Sequence, residues 1–339
     1  MNRSLAVIGG IFSLFMICSP LFGQVKNNRE IFLAALEIME EHSLNSYEVD
    51  WKLLKSTIES QFDMDLNDER LGEMMIDLLS QTHDFHGAFY LNDQVYQWKK
   101  GEIIVSDSIL NEWKKGPKVV SMMLTEGIGY LRIPSMPFVN QEDLDAKAQN
   151  LNNHLCELLQ NNTKGLIIDL RLNGGGAMYP MILGVHQLLP KGHIGSFQSK
   201  HNEKWFLTET EFLINQQVMA RIKPTCTIDA QNIPVILLTS PITGSSAEFF
   251  IIALKSREAF TILGSNTAGY VTATEGFSIN DSAYLLLSTA YGVDINGIVY
   301  KSAFVPDVSV ENEDSFNDTW NDVKVVQAIS SLKKILVQN

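Results

Sequence analysis

The sequence predicts an α/β protein: a layered core of β-sheet with flanking helices, preceded by a small N-terminal helical bundle. Three observations predict it. Residues 28–82 carry helical periodicity alone. The middle third of the chain alternates short apolar runs with helical stretches, the pattern of helices packed on a sheet. Runs such as Leu166-Ile167-Ile168 and Val235-Ile236-Leu237-Leu238 are continuously apolar and end in polar or charged residues, as strands buried on both faces do.

The expected division is a signal peptide over 1–23, a helical subdomain over 24–86, and an α/β core with a C-terminal helix over 87–339. Arg3 is the only charge before Lys26, residues 5–22 are almost wholly apolar, and Leu21-Phe22-Gly23 precedes the polar Gln24. That pattern predicts cleavage near Gly23, export to a periplasmic or extracellular space, and no stable membrane insertion afterwards. An uncleaved anchor is the competing reading, because the apolar run is long. The chain of 339 residues is 45% hydrophobic and 19% charged, ample material for a large core. Its formal charge of −13 and the lack of any basic run argue against a nucleic-acid surface.

In the helical region, stripes at 31–39, 49–58 and 71–79 predict three helices, the last with Asn67 or Asp68 as N-cap. A strand is expected over 88–91, a strand pair over 119–124 and 128–133, and a helix over 141–160. Then come a parallel strand near 164–171, a glycine turn and a helix reaching Leu189. The region 95–118 is mixed and shows no clear period. Further strands are expected over 234–238, 260–263, 273–279, 283–289 and 298–299, with a last amphipathic helix from about Trp320 to Leu336. Cys156 and Cys226 remain after signal cleavage. They allow one disulfide in an exported protein, while the apolar helical face around Cys156 fits a buried free thiol equally well. No Cys/His ligand spacing occurs, so neither a metal nor another cofactor is expected.

Three stretches carry candidate chemistry. Thr243-Gly244-Ser245-Ser246-Ala247-Glu248 lies between an expected strand and an apolar helix. A serine there is either an ordinary helix cap or a nucleophile exposed beside the N–H groups of the helix start. Gly174-Gly175-Gly176 follows the 164–171 strand. It lacks both phosphate-loop patterns, yet it lets backbone N–H groups approach a ligand or an oxyanion closely. His83-Asp84-Phe85-His86-Gly87 ends the third helix. Its histidines serve either the helix dipole or proton transfer.

Taken in order, Asp84-Phe85-His86, Gly129-Tyr130-Leu131-Arg132-Ile133, Asp169 to Gly176, Thr243 to Glu248, the Gly264-x-x-Thr267-x-Gly269 segment and Pro306-Asp307 resemble one family. It is that of the tail-specific or carboxyl-terminal processing serine proteases, which includes the tricorn core protease and the retinoid-binding repeats of the photoreceptor matrix. The resemblance implies a ClpP/crotonase-like core, Ser245 as nucleophile, and an oxyanion hole from Gly175 and the N–H of Ser246. Where the processing branch carries a lysine base, this chain has Tyr270, a poor general base at neutral pH. His86 matches the base of the tricorn branch. Only about 40 residues separate it from Gly127, too few for a PDZ module. Phe85 replaces the serine that precedes that histidine in the tricorn core, and Tyr300-Lys301-Ser302 holds no acid where the branch has one. Asp84, Glu248 and Glu275 are the candidates to orient His86, with Glu248 also suited to bracing the turn. The implied function is an exported serine peptidase acting on peptides or proteins without a cofactor. Two alternatives stand beside it: a weakly active or inactive relative that binds an apolar ligand or peptide, and an acyl-group hydrolase on the same core.

Overall fold

Asparagine caps start two of the N-terminal helices. The side chain of Asn27 accepts the Glu30 N–H at 3.0 Å at the head of Asn28–His42, and Asn67 accepts the Arg70 N–H at 2.9 Å at the head of Asp68–Gln81. Trp51–Gln61 lies between them. The computed structural model describes residues 27–61, 66–99, 101, 103–258 and 260–338. The signal peptide expected over 1–23 lies outside the described residues.

Residues 27–101 and 272–291 form one of two compact units. Its sheet is antiparallel. Ala88–Leu91 pairs with Gln94–Tyr96 on one side and with Ala283–Val293 on the other, and Thr272–Ser278 also pairs with that long strand. Phe32, Leu36, Met39, Leu71, Met75 and Leu79 from the helices share one apolar core with Phe89, Leu91, Leu285 and Leu287 from the strands. The helices therefore do not form a unit that stops at residue 86. Their apolar faces are buried against strands, one of which, Ala283–Val293, begins more than 200 residues further along the chain.

Residues 103–271 and 292–338 form the other unit. Six strands run in the order Val308–Ser309, Phe260–Gly264, Val235–Thr239, Gly165–Asp169, Ile128–Arg132, Val120–Thr125. All neighbours are parallel except the last pair. Every residue of Ile128–Arg132, Gly165–Asp169 and Val235–Thr239 is buried, which is why these strands read as unbroken apolar runs. On one face Tyr130, Ile167, Ile236 and Leu238 meet Val325, Ala328 and Leu332 of the helix Val323–Gln338. The layered α/β core predicted from the sequence is present, as is the helical N-terminal region.

Several elements depart from expectation. Asp107–Lys114 is a helix in the region without a clear period, capped by Ser106 Oγ on the Ile109 N–H. The single helix expected to reach Leu189 is instead Met178–Gly184 followed by the 3-10 turn His186–Leu188. Gly192–Gln198, Glu203–Leu207, Glu211–Ile214 and Gln217–Arg221 form an antiparallel meander that no sequence signal marked. It buries Trp205 edge-on against Phe197 and Phe249. Cys156 and Cys226 are joined in a disulfide, which decides between the two readings of these thiols.

Candidate active site

The strand Val235–Thr239 turns through 240–245 into the helix Ser246–Leu254. Ser245 occupies the turn at φ 54° and ψ −121°. An ordinary N-cap residue is extended, whereas a non-glycine residue at positive φ costs about 1–3 kcal/mol and persists only where its surroundings impose it. Here they do. Thr243 Oγ1 donates to the Leu170 carbonyl at 2.8 Å, the Gly244 N–H donates to Asn173 O at 3.1 Å, and the Ala268 N–H donates to Thr243 O at 2.8 Å. A sharp, strained strand-to-helix turn of this kind is how a nucleophilic serine is presented at the edge of a parallel sheet.

Gly174–176 lies directly against the turn. A Cβ on Gly175 would stand 2.9 Å from Ser245 Cβ and 3.3 Å from its Oγ, so only glycine permits this approach. Ser246 Oγ donates to the Gly176 carbonyl at 2.5 Å. In the first helical turn the N–H groups of Ala247, Glu248 and Phe249 are taken by the carbonyls of Gly244 and Ser245. The Ser246 N–H meets no acceptor among the described residues. The Gly175 N–H is engaged, donating to Asn173 Oδ1 at 3.0 Å.

Glu248 braces the turn from inside. Its Oε2 accepts the Ser245 N–H at 2.9 Å, and its Oε1 accepts the Gly269 N–H at 2.9 Å and the Thr267 hydroxyl. Burial pushes this carboxyl up to about 7, against the pull of those hydrogen bonds. At the position of the processing-branch lysine stands Tyr270. Burial and then the Glu248 charge hold its phenol above the usual range, hence protonated at neutral pH.

The glycine loop is anchored by the residues that precede it. Arg171 is buried and donates to Asp169, to Asp314 Oδ1 at 2.6 Å and to Asp322 Oδ2 at 2.9 Å. Burial alone would raise Asp169, but Arg171, Arg132 and the Tyr130 hydroxyl hold it at about 2. The Asp-Leu-Arg signature is thus an ion cluster under the loop. Asp307, which directly precedes the strand Val308–Ser309, accepts the Ile262 N–H at 2.7 Å and ties neighbouring strands together.

His86 and Asp84 belong to the unit that holds the N-terminal helices, whereas Gly175, Ser245, Ser246 and Glu248 belong to the other. His86 is 5% exposed, and its Nδ1 lies 2.9 Å from Thr272 Oγ1. Burial lowers it to about 4, and a hydrogen bond with the Thr272 backbone opposes that shift. Asp84 accepts the Gly87 N–H at 2.7 Å, the Ser288 N–H at 2.8 Å and the Ser288 hydroxyl at 2.6 Å. Burial raises its carboxyl, and these bonds counteract the rise. Glu275 is exposed and accepts from Thr289 Oγ1 at 3.2 Å. Among the described residues no group of three or more His, Cys, Asp or Glu side chains is arranged to hold a metal ion.

Sequence reasoning missed Thr272, Ser288 and Asn173 as polar partners of the candidate residues. Asn173 lies inside the Asp169 to Gly176 motif. The other two are lone hydroxyls in strands far from residue 86 in sequence, with no local signature.

A sequence model described as "Peptidase family S41" matches residues 127–310, a span that includes Ser245 and the glycine loop. The chain is 30% identical over 181 residues to the nisin-resistance protein of Lactococcus lactis subsp. lactis, covering 52% of this chain and 56% of that protein. It is 25% identical over 199 residues to the carboxy-terminal-processing protease of Bartonella bacilliformis, covering 57% and 41%. The matches thus span about half the length of these curated relatives. A solved lipoprotein from Streptococcus agalactiae aligns with a TM-score of 0.69 at 20% identity, over 93% of this chain and 99% of that one. At that identity the likeness speaks for the fold.

Proposed function

The chain belongs to peptidase family S41, and from that premise we propose that it is an exported serine peptidase cutting peptide or protein substrates through an acyl-enzyme on Ser245. Family membership bears out the resemblance carried by the motifs and gives peptidase activity in general terms. The particular mechanism is our reading. Ser245 Oγ attacks the scissile carbonyl, and His86 takes its proton and returns it to the leaving amine. The N–H groups of Ser246 and Gly175 receive the oxyanion, and water then hydrolyses the ester. The observation that carries the reading is the positive φ of Ser245 at a strand-to-helix turn with a glycine loop against it. Tyr270 in place of a lysine supports a histidine as the base, since its phenol keeps its proton.

A fluorophosphonate probe tests this directly. The expected result is labelling of the wild-type chain, none of Ser245→Ala, and strongly slowed labelling of His86→Ala. Labelling indifferent to Ser245→Ala would end the proposal. Full-rate labelling of His86→Ala would retain the nucleophile and reject the base.

One observation favours a second reading, a relative of weak activity that binds a peptide or apolar ligand. The Gly175 N–H is already held by Asn173, so an oxyanion must compete for it. Absence of labelling together with saturable peptide binding would establish that reading. Export rests on the composition of residues 1–23. Among the described residues no helix is long and apolar enough to cross a membrane. Mass measurement of the chain from the medium or periplasm, with its N-terminus near Gln24, is the expected outcome.

A further inference from the structure

Behind His86 the buried polar atoms stand in single file. Nδ1 of His86 is 2.9 Å from Thr272 Oγ1, which is 3.0 Å from Ser288 Oγ, which is 2.6 Å from Asp84 Oδ1. All four side chains are buried, and all four belong to the same compact unit. A hydroxyl owns one proton and a neutral imidazole owns one N–H, so the file is ordered in one of two senses. Asp84 also accepts the backbone N–H groups of Ser288 and Gly87, and one from His86. Donors converging on both oxygens match an ionised carboxylate, which only accepts.

With Asp84 as acceptor only one order closes the file, and the hydrogen bond of the ring with the Thr272 backbone adds to the hold of the same residue. Ser288 spends its proton on Asp84, so the 3.0 Å contact must be closed by the Thr272 proton. Thr272 then has only lone pairs left for the ring, and the ring must supply the hydrogen from Nδ1. The opposite order needs a protonated Asp84 and would put the ring proton on Nε2. A mixed order would set two lone pairs against each other.

We propose that Asp84, Ser288 and Thr272 are positioning residues that keep the imidazole proton of His86 on Nδ1 and thereby present Nε2 as its basic nitrogen. The inference rests on His86 being the base in the function proposed above. In a serine–histidine–aspartate triad the acid contacts the histidine directly, fixing its tautomer and also stabilising the imidazolium. Here two hydroxyls stand between charge and ring. The file fixes the tautomer while leaving the ring little charge pairing, in keeping with its lowering to about 4 by burial.

The test reads the proton itself. Two-bond proton–nitrogen NMR correlations on the ¹⁵N-labelled full chain at neutral pH are expected to show His86 with Nδ1 protonated and Nε2 bare. Thr272→Val is expected to move it to the Nε2–H form or to a mixture, and Thr272→Ser to restore the wild-type pattern. The fluorophosphonate rate should fall by about 10²-fold or more in Thr272→Val and recover in Thr272→Ser. A wild-type His86 carrying its proton on Nε2, or a tautomer unchanged in Thr272→Val, would overturn the proposal. The wild-type spectrum decides even if Thr272→Val fails to fold. Because the spectrum reads a tautomer and not turnover, a chain that shows the expected tautomer yet never labels would refute the peptidase reading alone.

Discussion

The Glu248 carboxylate accepts the backbone N–H of Ser245 at 2.9 Å from inside the helix that Ser245 begins. The same carboxylate accepts Gly269 and Thr267, so one acid bonds both to the nucleophile's turn and to the next loop. An amide cannot reproduce this, because its NH₂ would face an N–H. We expect Glu248→Gln to cost about 1–3 kcal/mol of stability for the unpaired donor and to slow Ser245 labelling further than the fold loss explains. Thermal melts and labelling rates on the same preparation check both parts.

Gly175→Ala probes the approach of the glycine loop. The residue sits at φ 116° and its new methyl would lie 2.9 Å from Ser245 Cβ. Strain of about 1–3 kcal/mol is expected from the backbone alone, with labelling of Ser245 reduced well below the wild-type rate. A variant of unchanged melting temperature and unchanged labelling would show that the loop does not constrain the serine.

Two buried histidines should withdraw their share of stability as pH falls through a defined window. Burial lowers both His86 and His186 from 6.5 to about 4. Between those values the unfolded chain binds protons that the folded chain excludes. Their contribution is complete above pH 6.5 and is lost as pH falls towards 4. Each histidine contributes a slope of up to ~1.4 kcal/mol per pH unit in that window. Glu248, raised to about 7, and Asp84, also raised, take up protons first in the folded chain and oppose that slope. The histidine part is therefore read as a difference: between pH 7 and pH 5 the urea midpoint of His86→Gln should fall less, or rise more, than that of the wild-type chain.

The Cys156–Cys226 bond closes a loop with a sequence separation of 70 residues. Replacing both cysteines by alanine is expected to cost about 2–4 kcal/mol, chiefly by freeing the unfolded chain. Reductant should reproduce the loss in the wild-type chain and have no effect on the double variant, as followed by urea unfolding.

The elements that were legible in the sequence are those whose surroundings are uniform. Val235–Thr239 and Gly165–Asp169 are buried on both faces, so their apolar runs were unambiguous. Gln141–Gln160 carries the apolar helical face around Cys156, and Asn140 caps it by accepting the Asp143 N–H. The meander from Gly192 to Arg221 was not legible. Its strands are short and of mixed burial, and much of what packs on them, such as Phe249 against Trp205, comes from distant sequence. At the candidate site, Ser245, Glu248, Gly175, Asp84 and His86 stood in motifs with fixed local spacing. Thr272 and Ser288 approach His86 and Asp84 only through strand pairing, across 186 and 204 residues, and no local pattern encodes that.

Arg171 is synthesised 143 residues before Asp314 and 151 before Asp322. A growing chain can already contain both the glycine loop and the serine turn while Arg171 has only Asp169 as a partner. Because domains acquire their structure in step with synthesis, the footing of the glycine loop is completed only when the last carboxylates arrive. Position along the chain thus acts as a clock: the cluster beneath the loop can close only once Asp322 has been made, 151 residues after Arg171.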